Sequence, residues 1–252
     1  MQTNSTQYDL HKIVILNPKG GCGKTTLAIN LASYFARRGP PPTLVDRDPG
    51  GYSMRWIEQR AAALPKVHCV PDYEDAHFER PVRAWPDSKE LVVDLPAAIG
   101  SDQLFHEIYG AGSVLIPIVP SDIDIRSAAT FIAELLLVGQ FDRRNRNLGI
   151  VANRVRARTR SYQRLMRFLR SLQIPVVGEL RDSQNYVHAA ANGIGICEMP
   201  DYKAAQDTEQ FEPIVQWLDR WRQRRFDAMV EETTRPLRSV SVVGSELSGD
   251  TA

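Results

Sequence analysis

A glycine-rich stretch, Asn17 to Thr26 (NPKGGCGKTT), constrains the fold of this chain more than any other segment. It follows an apolar run and opens an amphipathic one, which is the order strand, glycine loop, helix. Without side chains at Gly20, Gly21 and Gly23, successive backbone N–H groups can point at one anion, and the helix N-terminus adds partial positive charge. The stretch therefore predicts a loop that holds the phosphates of a nucleoside triphosphate.

Two side chains of this loop have predicted chemical roles. Lys24 would reach the β- and γ-phosphates, and the Thr25 hydroxyl would be a ligand of Mg²⁺. The pattern G-x-x-x-x-G-K-[ST] is broken at its first position, which is Pro18, and a second lysine, Lys19, follows it. The alternative is a glycine-rich turn without a ligand, but the strand-to-helix context favours a phosphate site.

The string K-G-G-x-G-K-T, with a lysine at its start, resembles the deviant Walker A loop of the ParA/MinD family of positioning ATPases. The resemblance extends to about residue 200. It implies an ATP hydrolase with ATP or ADP and Mg²⁺ as cofactors, and a homodimer formed with ATP, in which Lys19 crosses to the phosphates of the other subunit. The implied nucleotide-binding residues are Lys19, Gly20, Gly21, Cys22, Gly23, Lys24, Thr25 and Thr26.

Alternating apolar and amphipathic runs predict an α/β fold, with a mainly parallel twisted sheet and helices on both faces. We expect one ATPase domain over 1–232 and a disordered tail over 233–252, with an irregular surface excursion over 71–89. The predicted strands cover 12–17, 43–46, 67–70, 90–95, 113–119, 148–152 and 175–180, and helices are predicted over 26–38, 158–172 and about 209–232. The N-terminus has no apolar leader and no run is long enough to span a bilayer, so we expect a cytoplasmic protein.

Two aspartates follow the ends of predicted strands, where an open parallel sheet places its ligands. Asp94 ends the buried run LVVD, the form of a Walker B element that supports Mg²⁺ through water, although a turn-capping carboxylate is the alternative. The segment Asp46-Arg47-Asp48-Pro49 resembles the family's D-x-D-P switch, and the resemblance makes Asp48 the residue that orients the attacking water. For Asp46 a structural role and a metal role remain open.

The resemblance also points to the end of the nucleotide that carries the base. Asn153 follows the sixth predicted strand, where the family's asparagine hydrogen-bonds the adenine edge, and a simple strand-end turn is the alternative. The segment 179–182 lies after the next strand, at the position where family members close over the base.

Basic residues are concentrated in one part of the chain. Residues 143–181 contain eleven arginines, no lysine and one acidic residue, whereas the whole chain has a formal net charge of +1. On the helix predicted over 158–172, leucines and arginines fall on opposite faces, and we expect the arginines to have no acid nearby. This pattern predicts a surface for non-specific DNA, with a solvated basic face as the alternative. The candidate contacts are Arg156, Arg158, Arg160, Arg164, Arg167 and Arg170.

Together these features imply, through the resemblance, a nucleoid-associated ATPase that positions or segregates a cargo. Its partners would be DNA and a ParB-like or cargo-adaptor protein, and no membrane. The alternatives are a MinD-like membrane-surface switch, which needs a terminal amphipathic helix, and a metabolic enzyme on the same fold. The end of the chain, SVSVVGSELSGDTA, lacks such a helix.

Overall fold

The structure is a computed structural model, and it describes residues 10–72, 83–138 and 147–234. Strands and helices alternate along these ranges. The strands are β1 (His11–Ile15), β2 (Thr43–Asp46), β3 (His68–Pro71), β4 (Glu90–Asp94), β5 (Ser113–Ile118), β6 (Leu148–Val155) and β7 (Val176–Arg181). The helices are α1 (Lys24–Ala36), α2 (Tyr52–Glu58), α3 (Ser101–Ile108), α4 (Asp122–Val138), α5 (Arg160–Ser171), α6 (Gln184–Ala191) and α7 (Asp201–Thr234).

The strands form one sheet in the order β3-β2-β4-β1-β5-β6-β7, and every neighbouring pair is parallel. The register pairs Asp94 with Ile15 on one side and with Asp46 on the other, so these strands end at the same level. Within the sheet, β2, β3 and β4 lie on one side of β1, and β5, β6 and β7 lie on the other. The loop after β1 therefore lies where the winding reverses, which is where open α/β sheets bind ligands.

Alternate residues of the strands pack on opposite faces of the sheet. In β1, Ile13 and Ile15 join a core with helices α1, α2 and α7, whereas Val14 joins a second core with α3, α4 and α5. Parallel strands covered on both faces must be apolar throughout, which explains their continuous hydrophobic sequences. The predicted fold class is confirmed, and all seven predicted strands are present.

Helices α7 and α5 do not begin at the predicted residues. Helix α7 begins at Asp201 rather than near residue 209, because its polar first turns bury Ala204 and Asp207 against the rest of the protein. Helix α5 begins at Arg160, since the Thr159 hydroxyl caps it by accepting a hydrogen bond from the backbone N–H of Tyr162. Arg158 precedes this cap with a left-handed φ of 67°.

Some predictions concern residues outside the described ranges. These are most of the excursion, at 73–82, nearly all of the tail, at 235–252, and three arginines at 143–146. In the ranges that are described, no helix combines the length and the apolar character needed to cross a membrane.

Candidate functional site

The glycine loop lies between the end of β1 and the start of α1 and is held by its own polar groups. The buried Asn17 side chain donates to the Pro117 carbonyl (2.7 Å) and accepts from the Lys19 N–H (2.8 Å). The Lys24 ammonium donates to the carbonyls of Asn17 (3.1 Å) and Lys19 (3.3 Å). This lysine is buried, and the two carbonyls hold its side chain at the base of the site.

Gly23 is required for a specific steric reason. Its φ is 96°, and a Cβ atom there would lie 2.2 Å from the amide nitrogen of Asn153. That amide donates to the Cys22 carbonyl (2.7 Å), which fixes the loop against the end of β6. The left-handed backbone disfavours any side chain at position 23, and a Cβ there would also push the Asn153 amide away from the Cys22 carbonyl.

A cavity of about 570 Å³ opens above the loop, a volume in the usual range for small-molecule sites. The lining includes loop residues, among them Lys24 and Thr25, and Asp48. It also includes apolar and aromatic side chains, several of them from α2 and α6: Ile29, Tyr52, Trp56, Tyr186, Val187 and Ala190. A lining that combines these two kinds of residue suits a phosphorylated ligand with a flat organic group.

The sequence-predicted residues divide into two groups around this cavity. Those that line it are Gly20, Gly21, Gly23, Lys24, Thr25, Thr26, Asp48 and Asn153. Lys19, Cys22 and Asp94 are not part of the lining: Cys22 and Asp94 are buried beneath it, and Lys19 is half-buried beside the loop.

Asp94 is fully buried at the end of β4. Its Oδ2 accepts from the Ser53 hydroxyl (3.0 Å), whereas Oδ1 has no hydrogen-bond partner among the described residues. Burial, with a further contribution from nearby Asp46, raises the pKa of this carboxyl to about 7, against the opposing effect of the Thr25 and Ser53 hydroxyls. An unpartnered buried acceptor beside the Thr25 hydroxyl fits the support of a hydrated Mg²⁺.

No three His, Cys, Asp or Glu side chains converge on one metal position in the ranges that the structure describes. Mg²⁺ commonly binds through one or two protein oxygens, substrate phosphates and waters. Thr25 and Asp94 would therefore hold the ion together with a nucleotide rather than in an all-protein cage.

The D-x-D-P segment is attached to the start of α2. Both oxygens of Asp46 accept backbone N–H bonds, from Asp48 (3.1 Å) and Met54 (3.0 Å), which supports its structural role. Burial raises the pKa of Asp46 as well. The half-buried Asp48 accepts from the Gly50 N–H (2.8 Å) and borders the cavity, where a water-orienting carboxylate would be needed.

A buried ionic cluster surrounds Arg47, and the sequence analysis missed it. The Arg47 side chain is fully buried and pairs with Glu107 (2.9 Å) and Asp72 (3.2 Å), and Glu107 also pairs with Lys12 (3.5 Å). Burial lowers the pKa of Lys12, and Glu107 opposes that decrease. The cluster fixes the D-x-D-P segment against α3. Its members are far apart in sequence, so no local pattern identifies them.

The segment after β7 forms a wall of the cavity and is held by α7. Arg181 donates to both carboxylate oxygens of the buried Asp207 (2.5 and 2.9 Å), which also accepts from Ser183 and Asn185. Arg181, Asp182 and Ser183 line the cavity. The sequence placed 179–182 at the base end of the site, but it did not identify Asp207.

An arginine surface lies next to this wall. It consists of Arg154, Arg156, Arg158, Arg160, Arg164, Arg167 and Arg170, all of which are exposed. On α5 the opposite face buries Leu165 and Leu169, as the helical spacing predicts. The first three arginines lie at the end of β6 and in the turn before α5.

The expectation that the arginines of this helix have no acid nearby is wrong for Arg164, which pairs with Asp122 (2.9 Å) at the start of α4. Before the helix, Arg156 and Arg154 pair with Asp182 (2.6 and 3.6 Å), the residue that follows β7. The surface is therefore basic but partly neutralised.

The sheet and the glycine loop define the chain as a P-loop nucleotide-binding protein. The family model described as "CobQ/CobB/MinD/ParA nucleotide binding domain" matches residues 13–196, and the chain belongs to this family. The predicted relationship to ParA/MinD proteins is confirmed.

Curated relatives include two proteins named "Maintenance of carboxysome distribution protein A". The one from Halothiobacillus neapolitanus is 26% identical over 192 residues, covering 74% of this chain and 87% of the relative. The one from Gloeobacter kilaueensis is 27% identical over 213 residues, covering 83% and 95%. The chromosome-partitioning ATPase Soj of Thermus thermophilus is 50% identical over 52 residues, 21% of each protein.

Solved structures agree on the fold. A plasmid partition protein from Borrelia burgdorferi bound to AMPPNP superposes with a TM-score of 0.64 at 13% identity, covering 82% of this chain and 99% of that one. Apo McdA from Cyanothece gives a TM-score of 0.62 at 16% identity, with coverage of 82% and 99%.

Proposed function

We propose that this chain is a ParA-like ATPase that binds ATP and Mg²⁺, pairs with a second copy, and binds DNA without sequence preference. A partner protein would then stimulate hydrolysis and link the ATPase to a cargo. The observation that carries the proposal is the arginine surface beside the nucleotide cavity. Bound to DNA, the protein would be cytoplasmic and associated with the nucleoid.

In the nucleotide site, Lys24 would leave the loop carbonyls and bond to the β- and γ-phosphates. Thr25 and Asp94 would hold Mg²⁺, which would supply positive charge against the charge that develops on the phosphates. Asp48 would orient the attacking water. Lys19, outside the cavity lining, would act on the nucleotide of the other subunit.

The base would lie against aromatic side chains of the cavity lining. These are Tyr52 and Trp56 from α2 and Tyr186 from α6, and aromatic side chains favour contact with a flat ring. Asn153 borders the same cavity, and its amide already holds the loop through Cys22. We propose that it supports both the loop and the base.

DNA would contact the arginine surface through phosphates. The side chains of Arg156 and Arg164 are 75% and 55% exposed, so they can reach DNA phosphates, and such contacts carry no sequence information. A single patch binds non-specifically with dissociation constants of roughly 10⁻⁴ to 10⁻⁶ M. Pairing two patches in an ATP dimer can raise avidity by about 10² or more.

The cargo class follows from the relatives alone. Two relatives are named for carboxysome distribution, others for chromosome partitioning, and a protein of the same fold for plasmid partition, so we propose a protein assembly or a DNA replicon as the cargo. A ParB-like or cargo-adaptor protein would connect the two.

The test is filter binding of a mixed-sequence duplex with ATP and Mg²⁺ across a salt series. The double variant Arg164→Glu/Arg167→Glu should lose DNA and keep ATP, because both side chains are exposed on the face of α5 opposite its leucines. The matched control is Lys66→Glu/Arg83→Glu, which makes the same charge change at exposed positions near β3, the opposite edge of the sheet.

The control should bind DNA nearly as well as the parent. Equal loss in both variants would mean that net charge, rather than this surface, governs binding. If the arginine variant retains DNA, the proposal fails. ATP-dependent pelleting of the parent with anionic liposomes in place of DNA would favour the membrane-switch alternative.

A further inference from the structure

One carboxylate, Asp182, contacts both the arginine surface and the nucleotide cavity. Its Oδ2 accepts from Arg156 Nε (3.0 Å) and Nη2 (2.6 Å), and Arg154 Nε lies 3.6 Å from Oδ1. Asp182 also belongs to the lining of the cavity. The two arginines hold the pKa of this carboxyl below its ordinary value, so it is an anion at neutral pH.

A continuous set of bonds connects Asp182 to the glycine loop. The Asn153 amide donates to the Cys22 carbonyl, and its oxygen accepts from the Arg154 N–H (3.0 Å). Arg154 then pairs with Asp182, whose own N–H donates to the Val155 carbonyl (3.0 Å). The loop, the arginine turn and the end of β7 therefore form one bonded unit.

We propose that Asp182 couples nucleotide binding to DNA binding by holding Arg154 and Arg156 until a nucleotide occupies the cavity. The idea rests on the proposed function and specifies how that function is regulated. An ionised carboxylate only accepts hydrogen bonds. A nucleoside has donors of its own, its hydroxyls and base N–H groups, and these would compete with the two arginines for the same Asp182 oxygens. A nucleoside that bonds to Asp182 weakens its hold on the arginines and frees them for DNA phosphates.

Asp122 provides a natural comparison on the same surface. It pairs with Arg164 at 2.9 Å, but it is not part of the cavity lining. Like Asp182, it places one negative charge among the arginines. If the position of the acid relative to the cavity matters, a bound nucleotide changes the ion pairs of Asp182 and leaves the ion pair of Asp122 unchanged.

The experiment compares Asp182→Asn with Asp122→Asn in the full chain, using binding of a mixed-sequence DNA duplex with and without ATP and Mg²⁺. Each substitution removes one charge without changing side-chain size. Release of an exposed ion pair changes affinity by about two- to fivefold. Asp182→Asn should tighten nucleotide-free binding by this factor and change ATP-bound binding little, so the ratio between the two states falls.

Asp122→Asn should tighten binding equally in both states and leave the ratio unchanged. Calorimetry gives a second readout, because coupling between two ligands is reciprocal. In Asp182→Asn, the factor by which DNA changes the affinity for ATP should fall as much as the factor by which ATP changes the affinity for DNA. In an Arg156→Gln background, the effect of Asp182→Asn should largely disappear, since its main partner is absent.

An Asp182→Asn protein that behaves as Asp122→Asn does would overturn the coupling and leave the proposed function intact. A full Asp182→Asn effect in the Arg156→Gln background would also overturn it. If the parent itself fails to bind the duplex with ATP, the coupling and the proposed function fall together.

Discussion

Replacing Asp94 with asparagine should stabilise the nucleotide-free protein at alkaline pH. Burial raises the pKa of Asp94 from its ordinary value of 3.8 to about 7. The folded protein therefore holds this proton more tightly than the unfolded chain. This difference contributes about 4 kcal/mol to the free energy of unfolding. The contribution is fully present below the pKa of the unfolded chain and is lost as pH rises through the pKa of the folded protein.

Asparagine imitates the protonated carboxyl and does not ionise. Between about pH 5 and about pH 8, the parent should lose roughly 2.5 kcal/mol of unfolding free energy through Asp94, and Asp94→Asn should lose much less. Asp46, whose pKa burial also raises, leaves a residual dependence of the same sign. Urea denaturation at both pH values, without nucleotide, measures the difference.

The exposed Asp122→Asn serves as the control, and it should change stability by less than about 0.5 kcal/mol. The stabilised Asp94→Asn protein should also lose the Mg²⁺-dependent part of its ATP affinity. If Asp94→Asn shows the same pH dependence as the parent, the carboxyl does not carry the buried charge and its role in the metal site must be reassigned.

The remaining predictions concern the nucleotide cycle. Lys24→Ala should abolish ATP binding in calorimetry, because the buried ammonium supplies charge-assisted bonds to the phosphates; unaltered affinity would remove the phosphate-loop assignment. Lys19→Ala should keep nucleotide but lose ATP-dependent dimerisation or hydrolysis, and a normal light-scattering and hydrolysis result would end its proposed role. Asp48→Ala should accumulate an ATP dimer, whereas undiminished hydrolysis would move water orientation to another residue.

Local patterns were sufficient to predict the sheet. The central strands contain apolar runs buried on both faces, as in Leu91-Val92-Val93, and such runs are visible in the sequence without any knowledge of pairing. The loop was equally visible because its glycines and lysine are adjacent along the chain. The aspartate at the end of β4 followed from the same geometry.

Contacts between distant segments could not be predicted in this way. Asp182 meets Arg156 across 26 positions and Asp122 meets Arg164 across 42, so the partial neutralisation of the arginine surface depends on how elements pack. The buried position of Arg47 could not be predicted for the same reason, since one partner follows β3 and the other lies in α3. Helical periodicity indicates which face a residue occupies, but it does not show what that face meets.

The central claim is that nucleotide state controls residence on DNA. The most direct measurement is the affinity of the full chain for a mixed-sequence duplex at physiological salt, with ATP and Mg²⁺, with ADP and Mg²⁺, and without nucleotide. The account predicts binding about 10² or more tighter with ATP than in the other two states, because only the ATP dimer joins two arginine surfaces. Equal affinity in all three states would contradict it.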